Sequence, residues 1–209
     1  MKEFKVKILI TGVGGFIASQ IANRFLAAGY HVTGVDDFSG GKRENVPEKV
    51  DFIEGDLAEQ KTIKKLPTDC SLILHLAGQS SGEMSFDDPI KDLRKNGIST
   101  LNLIKYGIDI GAKKIVFASS VSIYSSVGDR PLVESDVSDP SSCYGVSKLA
   151  AEGYLRIYSK QLPYVNMRMF NVYGPGQDLD NLRQGMVSIY VAQAVRGGNI
   201  HVKGSLERF

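Results

Sequence analysis

Short apolar, β-branched runs alternate with longer stretches of helical period along most of the chain. "VKILIT" is followed by a helix-period segment from Phe16 to Ala28. "HVTGV" and "DFIEG" come next, with a charged, helix-like stretch behind them. The alternation then runs through "SLILHLA", Ile90 to Asp109, "KIVFAS", Tyr144 to Lys160 and "YVNMRMF". Strands that read as continuous apolar runs spaced by helices are buried on both faces, the pattern of a parallel sheet with helices on either side. The expected fold is α/β, a doubly wound parallel sheet, and such sheets place ligands at the carboxyl ends of their strands.

After Gly174 the texture changes. "PGQDLDNLRQG" leads into an amphipathic stretch near Met186 to Arg196 and a short expected strand, "IHVKG". This divides the chain into residues 1–174, which carry the sheet, and residues 175–209, expected to begin a smaller substrate lobe. A few short elements cannot form a core of their own, so the lobe reads as truncated.

With 209 residues, 43% hydrophobic, 23% charged and a net charge of +2, the chain suits one substantial core. Lys and Arg are interspersed rather than blocked, which argues against a nucleic-acid partner. Cys70 and Cys143 lie far apart with no His pattern nearby, so neither a disulfide framework nor a metal site is expected. That usage fits a reducing cytoplasm. The N-terminal apolar run is too short for a membrane span and has no signal-peptide cleavage pattern, so no membrane partner is expected.

"LITGVGGFIAS" puts Gly12 and Gly15 on the turn between the first strand and helix, with Ala18 in the third place of the pattern. In a dinucleotide fold the first glycine makes the tight turn, the second lets a pyrophosphate approach backbone amides at a helix N-terminus, and the third place needs only a small side chain. A glycine-rich turn alone is a weak sign. It is strengthened by Asp36 at the end of "HVTGV", where a carboxylate meets a ribose diol and repels a 2′-phosphate, favouring NAD over NADP. Asp37, Ser39, Gly40 and Gly41 fit the rest of a ribose pocket, or an ordinary polar loop. Asp56 and Leu57 in "GDL" suit an adenine amino group and ring. Ala77 and Gly78 in "HLAGQ" permit close approach of a cofactor, and His75 reads as a structural histidine.

Two features carry candidate chemistry. "FASSVSIYSS" is a strand ending in serines, by composition either a solvated loop or a set of placed hydroxyls. "SSCYGVSKLAAEGYL" sets Tyr144 and Lys148 four residues apart on one helix face. Such a pair is common by chance. Beside an oxidised nicotinamide, however, an ammonium near a phenol favours the phenolate needed for acid–base work on a hydroxyl.

Taken in order, "TGVGGFIAS", "VDDFSGG", "GDL", "HLAGQ", Asn96 after "DDP", "SSVSIY", "YGVSK" and "RMFNVYGPGQ" make the chain resemble the extended short-chain dehydrogenase/reductases, the NAD-dependent nucleotide-sugar epimerases and dehydratases. The resemblance implies a Rossmann-type fold and bound NAD. It implies that Tyr144 is the acid/base, that Lys148 tunes it and binds the nicotinamide ribose, and that Ser120 hydrogen-bonds the reacting sugar oxygen. Around the cofactor it adds Phe16, Ile17, Leu76, Gln79, Asn96 and Phe170. On the substrate side it points to Ser85, Asn171, Asn181 and Leu182. Where the family's 4,6-dehydratases carry an Asp–Glu pair, this chain has Val121 and Ser122, and the glutamate of decarboxylating relatives is missing at Ser122. The resemblance therefore implies reversible oxidation at a sugar C4, that is, 4-epimerisation of a UDP-linked sugar. Ordinary dehydrogenase or ketoreductase chemistry, or NAD binding without catalysis, are the alternatives. A homodimer through the helices at Ile90–Asp109 and Tyr144–Lys160 is also implied.

Overall fold

The computed structural model describes residues 6–124, 130–181, 183, 185–197 and 199–202. The chain divides into two compact units, residues 1–169 and 170–209.

The first unit is one parallel sheet of six strands in the order β3-β2-β1-β4-β5-β6. The strands are β1 (Lys7–Thr11), β2 (His31–Asp36), β3 (Asp51–Glu54), β4 (Leu72–His75), β5 (Lys114–Ser120) and β6 (Tyr164–Met169). Every strand pairing is parallel. The order reverses between β1 and β4, which creates the crevice where doubly wound sheets hold ligands.

Successive strand residues point to opposite faces, and both faces are packed. Leu9, Val35, Ile73, Ile115 and Phe117 join Leu103, Ile104, Ala151 and Leu155 in one apolar cluster. Ile8, Ile10, Val32 and Leu74 join Ala18 and Ala22 in the other. The continuous apolar runs of the sequence follow from this double covering.

The helices are α1 (Phe16–Ala27), α2 (Gln60–Ile63), α3 (Met84–Asp87), α4 (Pro89–Leu93), α5 (Ser99–Asp109) and α6 (Cys143–Ile157). Two depart from expectation. The charged stretch after β3 forms only the single turn of α2. The expected helix from Ile90 to Asp109 is broken by a π-helical turn, Arg94–Ile98, between α4 and α5. Pro89 opens α4, and Asp88 caps it by accepting from the Lys91 amide. Ser142 caps α6 in the same way, its Oγ accepting from the Gly145 amide at 3.1 Å.

Arg168 ties β6 to α6. Its guanidinium donates to both carboxylate oxygens of Glu152, to the Tyr124 hydroxyl and to the Glu134 carbonyl. Glu152 is buried, so this forked pair fixes the level of α6 against the sheet.

The second unit holds α7 (Met186–Val195), where a helix is expected. Ile200, His201 and Val202, the described part of the expected "IHVKG" strand, carry no strand. Among the described residues no helix is long and apolar enough to cross a membrane.

Candidate active site

The loops at the carboxyl ends of β1, β2, β3, β4 and β5 bring the candidate residues of the first unit to one edge of the sheet. Gly12 follows β1 with φ +75°, and its amide donates to Val35 O at 2.8 Å. A Cβ here would stand 2.8 Å from Ala77 N and 2.9 Å from Ala77 Cα. Only glycine fits that conformation and that gap together. Gly15 is the N-cap of α1 and supplies no side-chain cap. The helix therefore starts with the amides of Phe16 and Ile17 open to an anion.

Asp36 ends β2 at 8% exposure. Its Oδ2 accepts from Gly14 N at 2.9 Å and its Oδ1 from Phe38 N at 2.7 Å. Each oxygen keeps a lone pair for a hydroxyl. Burial pushes the Asp36 carboxyl up, against these two amide bonds. Gly14 was not singled out from the sequence, yet its amide aims Asp36.

Asp37 accepts at Oδ1 from Ser39 N at 2.9 Å and from Ser39 Oγ at 2.6 Å. Lys95, another residue the sequence did not flag, bridges Asp37 and Asp56. Burial raises the Asp37 carboxyl, but hydrogen bonds from Lys95 and Ser39 outweigh it and hold the group below the ordinary carboxylate range. Asp37 and Asp56, two of the acids expected around an adenosine, are thus brought together by one cation from the π turn. Gly40 is exposed with open space around it. Leu57 is buried, its carbonyl accepting from Asn102 at 2.9 Å.

His75 is a structural residue. Thr11 Oγ1 accepts from the Leu76 and Ala77 amides, so its hydrogen goes to His75 Nδ1 at 2.8 Å. Thr100 Oγ1 donates to Asn96 O, so it accepts from His75 Nε2 at 2.9 Å. Burial, helped by the nearby Lys148 charge, pushes the imidazole down to about 3, and the ring is neutral with its proton on Nε2. This chain of bonds ties the loop carrying Leu76, Ala77 and Gly78 to the π turn carrying Asn96.

Tyr144 and Lys148 stand on the inner face of α6, both buried, and Ser120 ends β5 beside them. Lys148 Nζ donates to Ala118 O at 2.9 Å, and lies 4.8 Å from the Phe117 ring centre and 5.7 Å from that of Tyr144. Burial lowers the ammonium to about 8. Burial raises the Tyr144 phenol, while the adjacent Ser120 hydroxyl pulls it down. Ser120 Oγ also accepts from Ser122 N and donates to Ser122 Oγ, both at 3.1 Å. A hydroxyl, a phenol and an ammonium with little water around them make up a proton-transfer site for an alcohol or ketone.

Gln79 donates to Ser81 O at 2.8 Å and to Asp92 at 3.0 Å. Asn96 is buried on the π turn beside Gly78, where a Cβ on Gly78 would overlap Asn96 Oδ1. Ser85 is buried in α3, its Oγ donating to Gly82 O at 2.6 Å. Phe170, Asn171 and Asn181 belong to the second unit. Phe170 and Asn171 are exposed there, and Asn181 Oδ1 accepts from Arg183 N at 3.1 Å. Leu182 lies outside the described residues.

The fold and this edge are those of a dinucleotide-binding α/β protein, with a buried phenol, ammonium and hydroxyl gathered at the end of β5. The chain belongs to the NAD dependent epimerase/dehydratase family, whose profile matches residues 8–208. UDP-glucose 4-epimerase of Thermotoga maritima, solved with UDP-glucose, superimposes with a TM-score of 0.91 at 32% identity, over 95% of this chain and 66% of that one. The enzyme of the same name from Thermus thermophilus, solved with NAD, gives a TM-score of 0.83 at 34% identity, over 91% and 63%. UDP-glucuronic acid decarboxylase 1 of Xenopus tropicalis is 31% identical over 97% of this chain and 49% of its own length. The chain thus spans from 49% to 66% of the length of these relatives. The family's cofactor is NAD.

Proposed function

We propose that the protein is a nucleotide-sugar 4-epimerase acting on a UDP-linked sugar with tightly held NAD. The observation that carries this reading is the buried Ser120/Tyr144/Lys148 set with no carboxylate at Val121 or Ser122. The likeness to relatives of that activity supports it.

The residues present fit a dinucleotide. The uncapped start of α1 at Phe16 and Ile17, presented by the turn that the positive φ of Gly12 makes, takes the pyrophosphate. Asp36, with Asp37, Ser39 and Gly40, takes the adenosine ribose. Asp56 and Leu57 take the adenine. Leu76, Ala77, Gly78, Gln79 and Asn96 are assigned to the nicotinamide side, with Tyr144 and Lys148. When bound, NAD supplies the hydride acceptor and returns the hydride.

In this mechanism Tyr144 accepts the proton of the sugar 4-hydroxyl as C4 is oxidised, and gives it back when C4 is reduced on its other face. Ser120 holds that oxygen in line. Lys148 keeps the phenolate accessible in a pocket that burial would otherwise keep as phenol. No second acid or base stands at Ser122 to expel water or assist decarboxylation. Ser85 is assigned to the nucleotide diphosphate or the sugar; on the family likeness alone, Asn171, Asn181 and Leu182 of the second unit are proposed as substrate contacts and Phe170 as a cofactor contact.

The protein, incubated with UDP-glucose, UDP-N-acetylglucosamine or UDP-glucuronate and no added cofactor, is expected to yield the C4-inverted sugar. Absence of any inverted product would sink this reading, and stoichiometric NADH would mark a dehydrogenase. Ile90, Leu93, Ile98, Val146 and Ile157 are large apolar residues left exposed on α4, the π turn and α6. We assign this surface to a homodimer. Analytical ultracentrifugation should give twice the protomer mass, and Ile157→Glu should shift it to the monomer; a monomeric wild type overturns the assignment.

A further inference from the structure

Asp92 has no task in the mechanism above, yet it is a carboxylate at 1% exposure beside the acid–base pair. An ionised carboxylate can only accept hydrogen bonds. Its Oδ1 takes Asn96 Nδ2 at 3.1 Å and Gln79 Nε2 at 3.0 Å, and its Oδ2 takes Ser147 Oγ at 2.6 Å. The three donors come from the π turn, the loop after β4, and α6. Ser147 lies between Tyr144 and Lys148 on α6, so one side chain gathers three parts of the site.

The arrangement also decides which way Asn96 faces. Because Asp92 accepts and cannot donate, Asn96 must offer it the amide NH2, and Oδ1 is turned away. That oxygen is buried without a partner. It reaches the place beside Gly78 that Lys148 Nζ also approaches, 3.3 Å from where a Gly78 Cβ would stand. A buried, unpaired acceptor is costly unless something supplies it a hydrogen. A ribose hydroxyl of a bound dinucleotide is such a donor.

We propose that Asp92 is a positioning residue of the active site: by accepting from Asn96, Gln79 and Ser147 at once, it turns Asn96 Oδ1 toward the cofactor crevice and locks the helix carrying Tyr144 and Lys148 against the loop after β4. This rests on the reading of Tyr144 and Lys148 as the acid–base pair. Its charge acts on the same corner. The titratable groups there are Asp92 from α4, Tyr144 and Lys148 from α6, and His75 from β4, which stays neutral. Burial raises both the Asp92 carboxyl and the Tyr144 phenol, and the Asp92 charge raises the phenol further.

The test is Asp92→Asn, which keeps the shape and removes the charge. With the fold intact by circular dichroism, kcat is expected to fall at least about tenfold while KM for the sugar changes less than about threefold. The Tyr144 titration, followed by NMR of ring-labelled tyrosine with NAD bound and assigned through Tyr144→Phe, is expected to move to lower pH by about half a unit. A kcat within about twofold of wild type, or a titration that does not move, overturns the assignment. The titration needs no substrate, so it judges Asp92 even if no sugar is turned over, an outcome that would count against the epimerase reading alone. If Asp92→Asn does not fold, Asp92→Glu replaces it. That variant should leave the titration in place and still lose at least about tenfold in kcat, because the oxygens are displaced; full activity in it overturns the assignment.

Discussion

Tyr144→Phe is expected to lower kcat by about 10²- to 10⁴-fold, the range that a lost general acid–base group costs, while the protein stays folded and keeps its NAD. The phenol ring is buried on the inner face of α6, and phenylalanine fills the same volume, so packing changes little. What goes is the group to which the proposed mechanism gives the proton of the sugar hydroxyl. Burial raises this phenol above its ordinary value, so its ionisation depends on positive charge nearby. Lys148 supplies that charge below about 8, the value to which its own burial lowers it. The check is steady-state kcat together with the NAD content of the purified variant. Retention of more than a tenth of wild-type turnover would remove Tyr144 from the role of acid/base.

Gly12→Ala should damage the other half of the site and the fold with it. The alanine would have to adopt φ +75°, which costs an L-residue about 1–2 kcal/mol. Its methyl would also press on Ala77 N and Cα at 2.8 and 2.9 Å. Those are backbone atoms held by Thr11, so they cannot swing aside as a side-chain tip can. A total loss of about 3 kcal/mol or more is expected, which for a chain of this size lowers Tm by roughly 6–12 °C. NAD affinity should fall more than about tenfold, since the pyrophosphate loop can no longer close on the loop after β4. Gly153→Ala is the control, because nothing lies within 4 Å of a Cβ there and its backbone is helical. Thermal melts and NAD titration of both variants decide the matter. A Gly12→Ala protein that melts and binds as wild type would show that the loop relaxes freely.

The parts of this architecture that were legible in the sequence are those whose cause is local or periodic. Continuous apolar strands report burial on two faces, and "TGVGGF" reports a tight turn into a helix, so the sheet and the loop after β1 could be read directly. Tyr144 and Lys148 could be placed on one helix face because four residues are slightly more than one turn. Asp92 and Lys95 were not legible. In "PIKDLRKN" they look like ordinary charges on an exposed helix, and only the fold shows one clamped by Ser147, 55 residues on, and the other bridging Asp37 to Asp56. The spacing of Asp92 to Asn96 was the one available signal, and without knowledge of which face turns inward it says nothing. The shortness of α2 was hidden for a related reason: a charged stretch has helical composition whether or not packing extends it past one turn.

The π turn at Arg94–Ile98 does a further job for the helix that contains it. Measured as angular phase, one extra residue offsets everything before it by about 100° from everything after it. That offset lets Leu103 and Ile104 face the apolar core while Asp92 and Asn96 are turned toward Gly78 and Ser147. A regular helix of the same sequence would have to give up one orientation or the other. Deleting Gly97 would therefore act as a rotation of the clamp out of the crevice, and its effect would be felt at Asp92 rather than at the point of deletion.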